Sequence, residues 1–142
     1  MTAITHRQPA IGSLRRRRFG DSLLRTSMRA DATVCAGVGL LISFAADPLS
    51  RLSGLSATSE WIAGAALVGY GVVLYALASV PGVRAVGLGV VALNVAFVVA
   101  ALGALAAGLL PLTPAGVAMV LAIVAATLGF AYLQYLGVRR LA

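Results

Sequence analysis

Four long apolar stretches dominate this chain from Ala32 onward, and its prolines respect them. Pro48, Pro81, Pro111 and Pro114 fall between the stretches and never inside one. In lipid, backbone N–H and C=O groups find no water, so a crossing segment must close its own hydrogen bonds; an internal proline would break that ladder. The pattern therefore predicts an all-α, four-transmembrane-helix bundle. The spans are expected over roughly 27–46, 60–79, 84–109 and 114–137. A crossing needs about 20 apolar residues, and the last three segments meet this comfortably.

Composition excludes the alternatives. Hydrophobic residues make up 61% and charged residues 11% of the 142, and mean hydropathy is +1.00. A soluble domain carries about 25% charged residues. A disordered chain would be poorer still in apolar residues.

The first span is the short one. Only 15 uncharged residues separate Asp31 from Asp47, a helix rise of about 24 Å between the two carboxylates. Both acids are thus expected at headgroup level, with Asp31 paired to Arg139 or Arg84 at the inner surface, because an unpaired intramembrane carboxylate is costly. Asp47–Pro48 reads as a helix cap followed by a first-turn proline, and Gly54 as the residue just past a helix end. Leu49, Leu52 and Leu55 between and beside them predict a short interfacial helix over 48–53. Ser59–Glu60–Trp61 opens the second span with a cap, an N-terminal acid and an interfacial indole, Pro81–Gly82 is a turn, and Thr113–Pro114 starts the fourth span with a cap and a proline.

The net charge of +7 comes from 11 arginines, no lysine and four acids. Seven arginines lie at positions 7, 15–18, 25 and 29, ahead of the first apolar run. Placed there, they face anionic lipid rather than nucleic acid. Residues 1–25, with Pro9, Gly12 and Gly20, read as a disordered basic cytoplasmic tail, and residues 26–142 as the membrane domain. Arg16–Arg17–Arg18–Phe19 is similar to the core of a twin-arginine signal, but twelve residues including Asp21, Arg25, Arg29 and Asp31 delay the apolar run that should follow directly. With the N-terminus inside, inner segments hold ten arginines and the outer loops only Arg51.

Chemistry-bearing constellations are not legible. Cys35 and His6 are single residues of their kinds, so no thiol metal site, intramolecular disulfide or bis-histidine haem can be built within the chain. No catalytic, cofactor-binding or metal-binding residue is assigned, and no enzyme activity is expected. Polar and packing candidates remain. Asp31, Cys35, Gly39, Ser43 and Asp47 recur every four residues and read as a close-packed helix seam, the alternative being a polar path with an acid at each mouth. Ala92, Ala96, Ala100, Ala104 and Gly108 form a second stripe. Through Ala96, Ala100 and Ala104 the third span is expected to make the closest helix contact, within the bundle or between copies. Asn94, about 15 Å of helix rise beyond Arg84, needs a partner on another helix, with Tyr70, Ser43 and Thr127 the candidates. Tyr132, Gln134 and Tyr135 read as interfacial anchors.

Arg29–Ala30–Asp31–Ala32, Asp47–Pro48–Leu49 before Leu52 and Gly54–Leu55, and Leu112–Thr113–Pro114–Ala115–Gly116 running on to Leu133–Gln134–Tyr135–Leu136–Gly137, with Asn94 between, together resemble uncharacterised small four-span integral membrane proteins of bacteria, especially actinobacteria. The resemblance covers about residues 29–140 and implies a multi-pass protein of the bacterial inner membrane. Small multidrug-resistance exporters are similar in size but use a glutamate in the first span, which is missing here. The expected role is a non-enzymatic structural or accessory subunit, its partners lipid, a second copy or a larger membrane protein. The alternative is a small oligomeric transporter or channel with Asp31 and Asn94 along its path.

The arginine count sets a test of topology. A reporter fused after Ala142 should be active on the cytoplasmic side, and one inserted within 56–58 on the outer side; an externally active C-terminal reporter would overturn the assignment.

Overall fold

A computed structural model describes residues 11–141, with side chains from Arg18 onward. Among these residues the fold is all helical: α1 (Ile11–Phe44), α2 (Ala46–Ser53), α3 (Ala57–Leu77), α4 (Val83–Ala106) and α5 (Pro114–Arg140). The four long helices are each apolar and long enough to cross a membrane, and α2 is the short helix after the first of them. α1 is the hub. It packs along α3 and α5 and touches α4, whereas α4 rests mainly on α5 and shares little surface with α3.

The helix ends follow local chemistry. Thr113 caps α5, its hydroxyl accepting from the Gly116 N–H at 3.1 Å, with Pro114 in the first turn. Gly54 follows α2 at φ +89°, a left-handed conformation that favours glycine, and its N–H closes on the Ser50 carbonyl. Two caps differ from expectation. Ser56, not Ser59, caps α3, accepting from the Ser59 N–H at 3.1 Å. α2 begins at Ala46 after a turn at Ala45, one residue ahead of the Asp47 that was expected to cap it.

The largest departure lies at the start. Helix runs from Ile11, through much of the stretch expected to be an unstructured tail; residues 1–10 of that tail lie outside the described residues. Gly20, Leu24, Ser27, Met28, Asp31 and Ala32 are buried, a helical stripe at spacings of three and four, while Arg18, Ser22 and Arg29 point outward. Leu24 sits against Gly137 of α5, where an added Cβ would lie 2.8 Å from the Leu24 Cβ. Gly20 meets Arg140 in the same way. Arg25 reaches the α3–α4 connection and donates to the carbonyls of Ala78 and Val80 at 2.8 and 3.0 Å. Helix C-termini leave carbonyls unpaired, and a guanidinium there satisfies them and complements the helix dipole. High charge density hid this stripe, since Arg18 and Arg29 point outward beside it and Arg25 is turned to the end of the bundle.

The most extensive helix contact is between α1 and α3. A Cβ added at Gly71 would lie 2.6 Å from the Ala32 carbonyl oxygen, and one added at Gly64 would lie 2.6 Å from that of Gly39. Ala32, Ala36, Gly39 and Ser43 of α1 thus face Gly64, Val68 and Gly71 of α3, backbone to backbone. Within the chain, the close approach is therefore not the one expected of α4 through Ala96, Ala100 and Ala104. Ala96 and Ala100 are exposed and Ala104 is half-buried. The face of α4 that enters the bundle is Gly87, Val90, Asn94 and Val98; Ala96 lies about 200° around the helix from Asn94 and faces outward.

The arginine-rich end of the bundle carries both ends of the described chain and the α3–α4 turn; α2 and the α4–α5 connection close the other end. There the Thr113 N–H donates to the Ser53 carbonyl at 2.8 Å, the Thr113 hydroxyl to the Leu52 carbonyl, and the Ser53 hydroxyl to Glu60. Ser53 and Glu60 are both buried by this clasp.

Gly64→Ala should cost about 1–3 kcal/mol, as overpacking against fixed backbone does. Ala100→Leu should change stability by less than about 0.5 kcal/mol. Unfolding both variants in mixed micelles checks the pair, and the reverse order would return the tight seam to α4.

Candidate functional site

One polar side chain from each of the four long helices meets in the interior. Asp31 comes from α1, Tyr70 from α3, Asn94 from α4 and Gln134 from α5, with Cys35 one turn beyond Asp31. Asp31, Asn94 and Gln134 are 4%, 5% and 0% exposed, so this is true burial. Asp31 lies about 9 Å of helix rise inward from Arg25, which marks the level of the α3–α4 turn.

The hydrogen bonds form a directed chain. The Tyr70 hydroxyl donates to Asn94 Oδ1 at 3.0 Å. Asn94 Nδ2 donates to Gln134 Oε1 at 3.1 Å and makes a longer contact, 3.5 Å, with Asp31 Oδ2. Gln134 Nε2 donates to Asp31 Oδ2 at 2.8 Å. The Cys35 thiol donates to Asp31 Oδ1 at 3.4 Å. The donors converge on the carboxylate, which when ionised can only accept. Among the described residues no buried side-chain nitrogen or oxygen lacks a partner.

Several expectations change here. Asp31 is buried in the bundle, and among the described residues no arginine pairs with it; its partners are two amides and a thiol. The cause is the extended α1, which carries Arg25 and Arg29 to the bundle end and so places Asp31 deeper. Asn94 does find Tyr70, but Ser43 lies on the α1–α3 seam and the Thr127 hydroxyl returns to the Ile123 carbonyl of its own helix at 2.9 Å. Gln134 is not an anchor like the exposed Tyr132 and Tyr135; it is completely buried. The sequence held a signal for it: Val124, Ala131, Gln134 and Val138 share one face of α5, and an amide on an otherwise small and apolar face marks a position turned inward. Cys35, expected as a plain small packing residue, is a donor. Ala96 and Ala100 take no part in the site.

The arrangement binds helices together. No group of three or more His, Cys, Asp or Glu side chains that could hold a metal occurs among the described residues. Two shallow clefts flank the bundle, one between Ala32, Ala36, Gly71 and Tyr75 on the α1–α3 surface and one by Phe44 and Trp61. No member of the polar cluster lines either of them. No protein-family model, curated protein or solved structure matches the chain.

The cluster is testable by a double-mutant cycle. Gln134→Ala strips Asp31 of its shortest hydrogen bond and should cost about 1–3 kcal/mol, since a buried acceptor is left without its donor. Asp31→Ala with Gln134→Ala should cost less than the sum, with a coupling of about 0.6 to 1.7 kcal/mol, the range of intramembrane hydrogen bonds. Additivity would show that the two side chains do not interact. Asn94→Leu, which loosens three partners at once, should cost more than Ala100→Leu.

Proposed function

We propose that this chain is a non-enzymatic structural or accessory protein of a bacterial inner membrane, with both termini in the cytoplasm. The observation that carries the reading is the closure of the polar cluster. Every span contributes to it, its members satisfy one another, and neither flanking cleft reaches it. Groups arranged for transport or catalysis must meet substrate or water; these meet each other. The asymmetry of arginines between the ends supports the orientation, since inner loops retain positive charge. Lipid is the immediate partner, and the outward alanine positions on α4 leave room for a second copy or a larger membrane protein.

A second reading has one observation in its favour. Asp31 is an acid between spans with no cationic partner among the described residues, and such residues commonly mark ion or proton pathways in carriers. In that reading the chain is a small oligomeric transporter or channel, with Asp31 and Asn94 along its path.

Asp31→Asn separates the two. The carboxamide keeps the side-chain shape but cannot exchange a proton, so a structural protein should stay folded, lose a little stability and show no change in ion permeability. Proteoliposomes with an entrapped pH dye and an imposed gradient provide the measurement. An Asp31-dependent proton flux from a folded protein would establish the carrier reading, and purification from native membranes in mild detergent with a stoichiometric larger partner would support the accessory one.

A further inference from the structure

At the end of the bundle opposite the arginines, a cleft of about 380 Å³ opens where α1 ends and α2 and α3 begin. Two aromatic residues line it, Phe44 from the last residue of α1 and Trp61 from the first turns of α3, and both are exposed, at 88% and 57%. Asp47, exposed in the first turn of α2, lines the same cleft, together with Ser43 and Thr58. No basic side chain lines it. Among the described residues Asp47 makes no side-chain hydrogen bond and no ion pair, although Arg51 stands one helical turn away at a spacing that would allow one. The cleft therefore presents an uncommitted negative charge beside two aromatic surfaces.

We propose that this cleft binds an organic ammonium group, with Asp47 as its counter-ion and Phe44 and Trp61 as its walls. The chemistry selects the class. A phosphate or carboxylate would meet Asp47 with no compensating cation in the lining. A hard metal ion such as calcium needs six to eight oxygen ligands, and a single carboxylate with two hydroxyls does not supply them. A bulky, weakly hydrated cation uses what is present: it gains from the negative faces of aromatic rings and from one opposed charge. The volume falls in the range of small-molecule sites, about 300–1,000 Å³, and far exceeds a bare ion. The group can arrive on a lipid headgroup, since the cleft lies at the end of the spans, or on a soluble amine. The inference is independent of whether the Asp31 cluster is structural or conductive.

Trp61 is the one tryptophan of the chain, so indole emission reports on this cleft alone. The full chain is reconstituted in nanodiscs of phosphatidylglycerol, which carries no amine, and titrated with tetramethylammonium chloride against sodium chloride at equal ionic strength. The expected result is a saturable emission change with tetramethylammonium only. In Asp47→Asn the half-saturation concentration should rise about fivefold, the scale of a partly exposed ion pair, with thermal unfolding unaltered because the carboxylate holds nothing in place. Phe44→Leu should weaken binding as well. A linear response, the same response to sodium, or an unchanged half-saturation in Asp47→Asn would overturn the proposal. Exchanging part of the lipid for phosphatidylethanolamine then identifies the source. A half-saturation that climbs with amine-lipid content assigns the cleft to the headgroup, and one that stays constant assigns it to a soluble amine; both outcomes retain the ammonium site.

Discussion

A carboxylate placed between membrane-spanning helices has to be met by donors, and in this protein that requirement falls on Asp31. Hydrocarbon supplies no hydrogen bonds, so the donors must come from other parts of the chain. Gln134 of α5 and Asn94 of α4 supply them, and Tyr70 of α3 in turn supports Asn94. Apolar contacts alone would hold the spans only loosely, because lipid tails are as apolar as leucine and valine side chains. The polar cluster gives the four helices a single mutual register that apolar contact does not demand.

Close packing on either side keeps that register. On one side α1 and α3 approach through Gly39, Gly64 and Gly71 near enough for backbone to touch backbone. On the other, Leu24 fills the space left by Gly87 and Gly137. Arg25 fixes the remaining degree of freedom by tying α1 to the end of α3 through the carbonyls of Ala78 and Val80. Sliding α1 by one residue would break these contacts and the Asp31 cluster together. At the far end the clasp of Ser53, Glu60 and Thr113 performs a similar task for α2 and the start of α5, and it holds α2 beside the cleft where Asp47 meets Phe44 and Trp61.

Much of the candidate site was half legible. Asn94 stood out because an amide in the middle of an apolar span is rare enough to demand a partner, and Tyr70 was among the partners that its depth allowed. Asp31 stood out too, but its depth was misjudged from the charges around it. Counting uncharged residues from Asp31 to Asp47 treats every charge as a membrane boundary. Arg25 and Arg29 violate that rule in a helix that continues well beyond them, since Arg25 pairs with Asp21 at 2.9 Å and donates to backbone carbonyls, and Arg29 lies over the Tyr75 ring at 5.8 Å. Gln134 was misread because two tyrosines flank it and tyrosines favour the interface. The helix turns Tyr132 and Tyr135 outward and Gln134 inward, a distinction of about 100° per residue that composition does not carry.

By itself, the sequence determined the number of spans, the approximate limits of the last three and the chemistry of several of their ends. Those features depend on local rules: backbone self-satisfaction in lipid, prolines confined to joints, Thr113 and Gly54 at helix ends. Only the tertiary structure decided which small residues meet. Alanine and glycine recur on several faces of every span at equivalent spacing, and nothing local ranks Ala96 and Ala100 below Gly64 and Gly71. The choice is made by the polar groups. Once Asp31, Asn94 and Gln134 must face one another, each helix has a fixed rotation, and the alanine stripe of α4 is carried to the outside while the glycines of α3 turn toward α1.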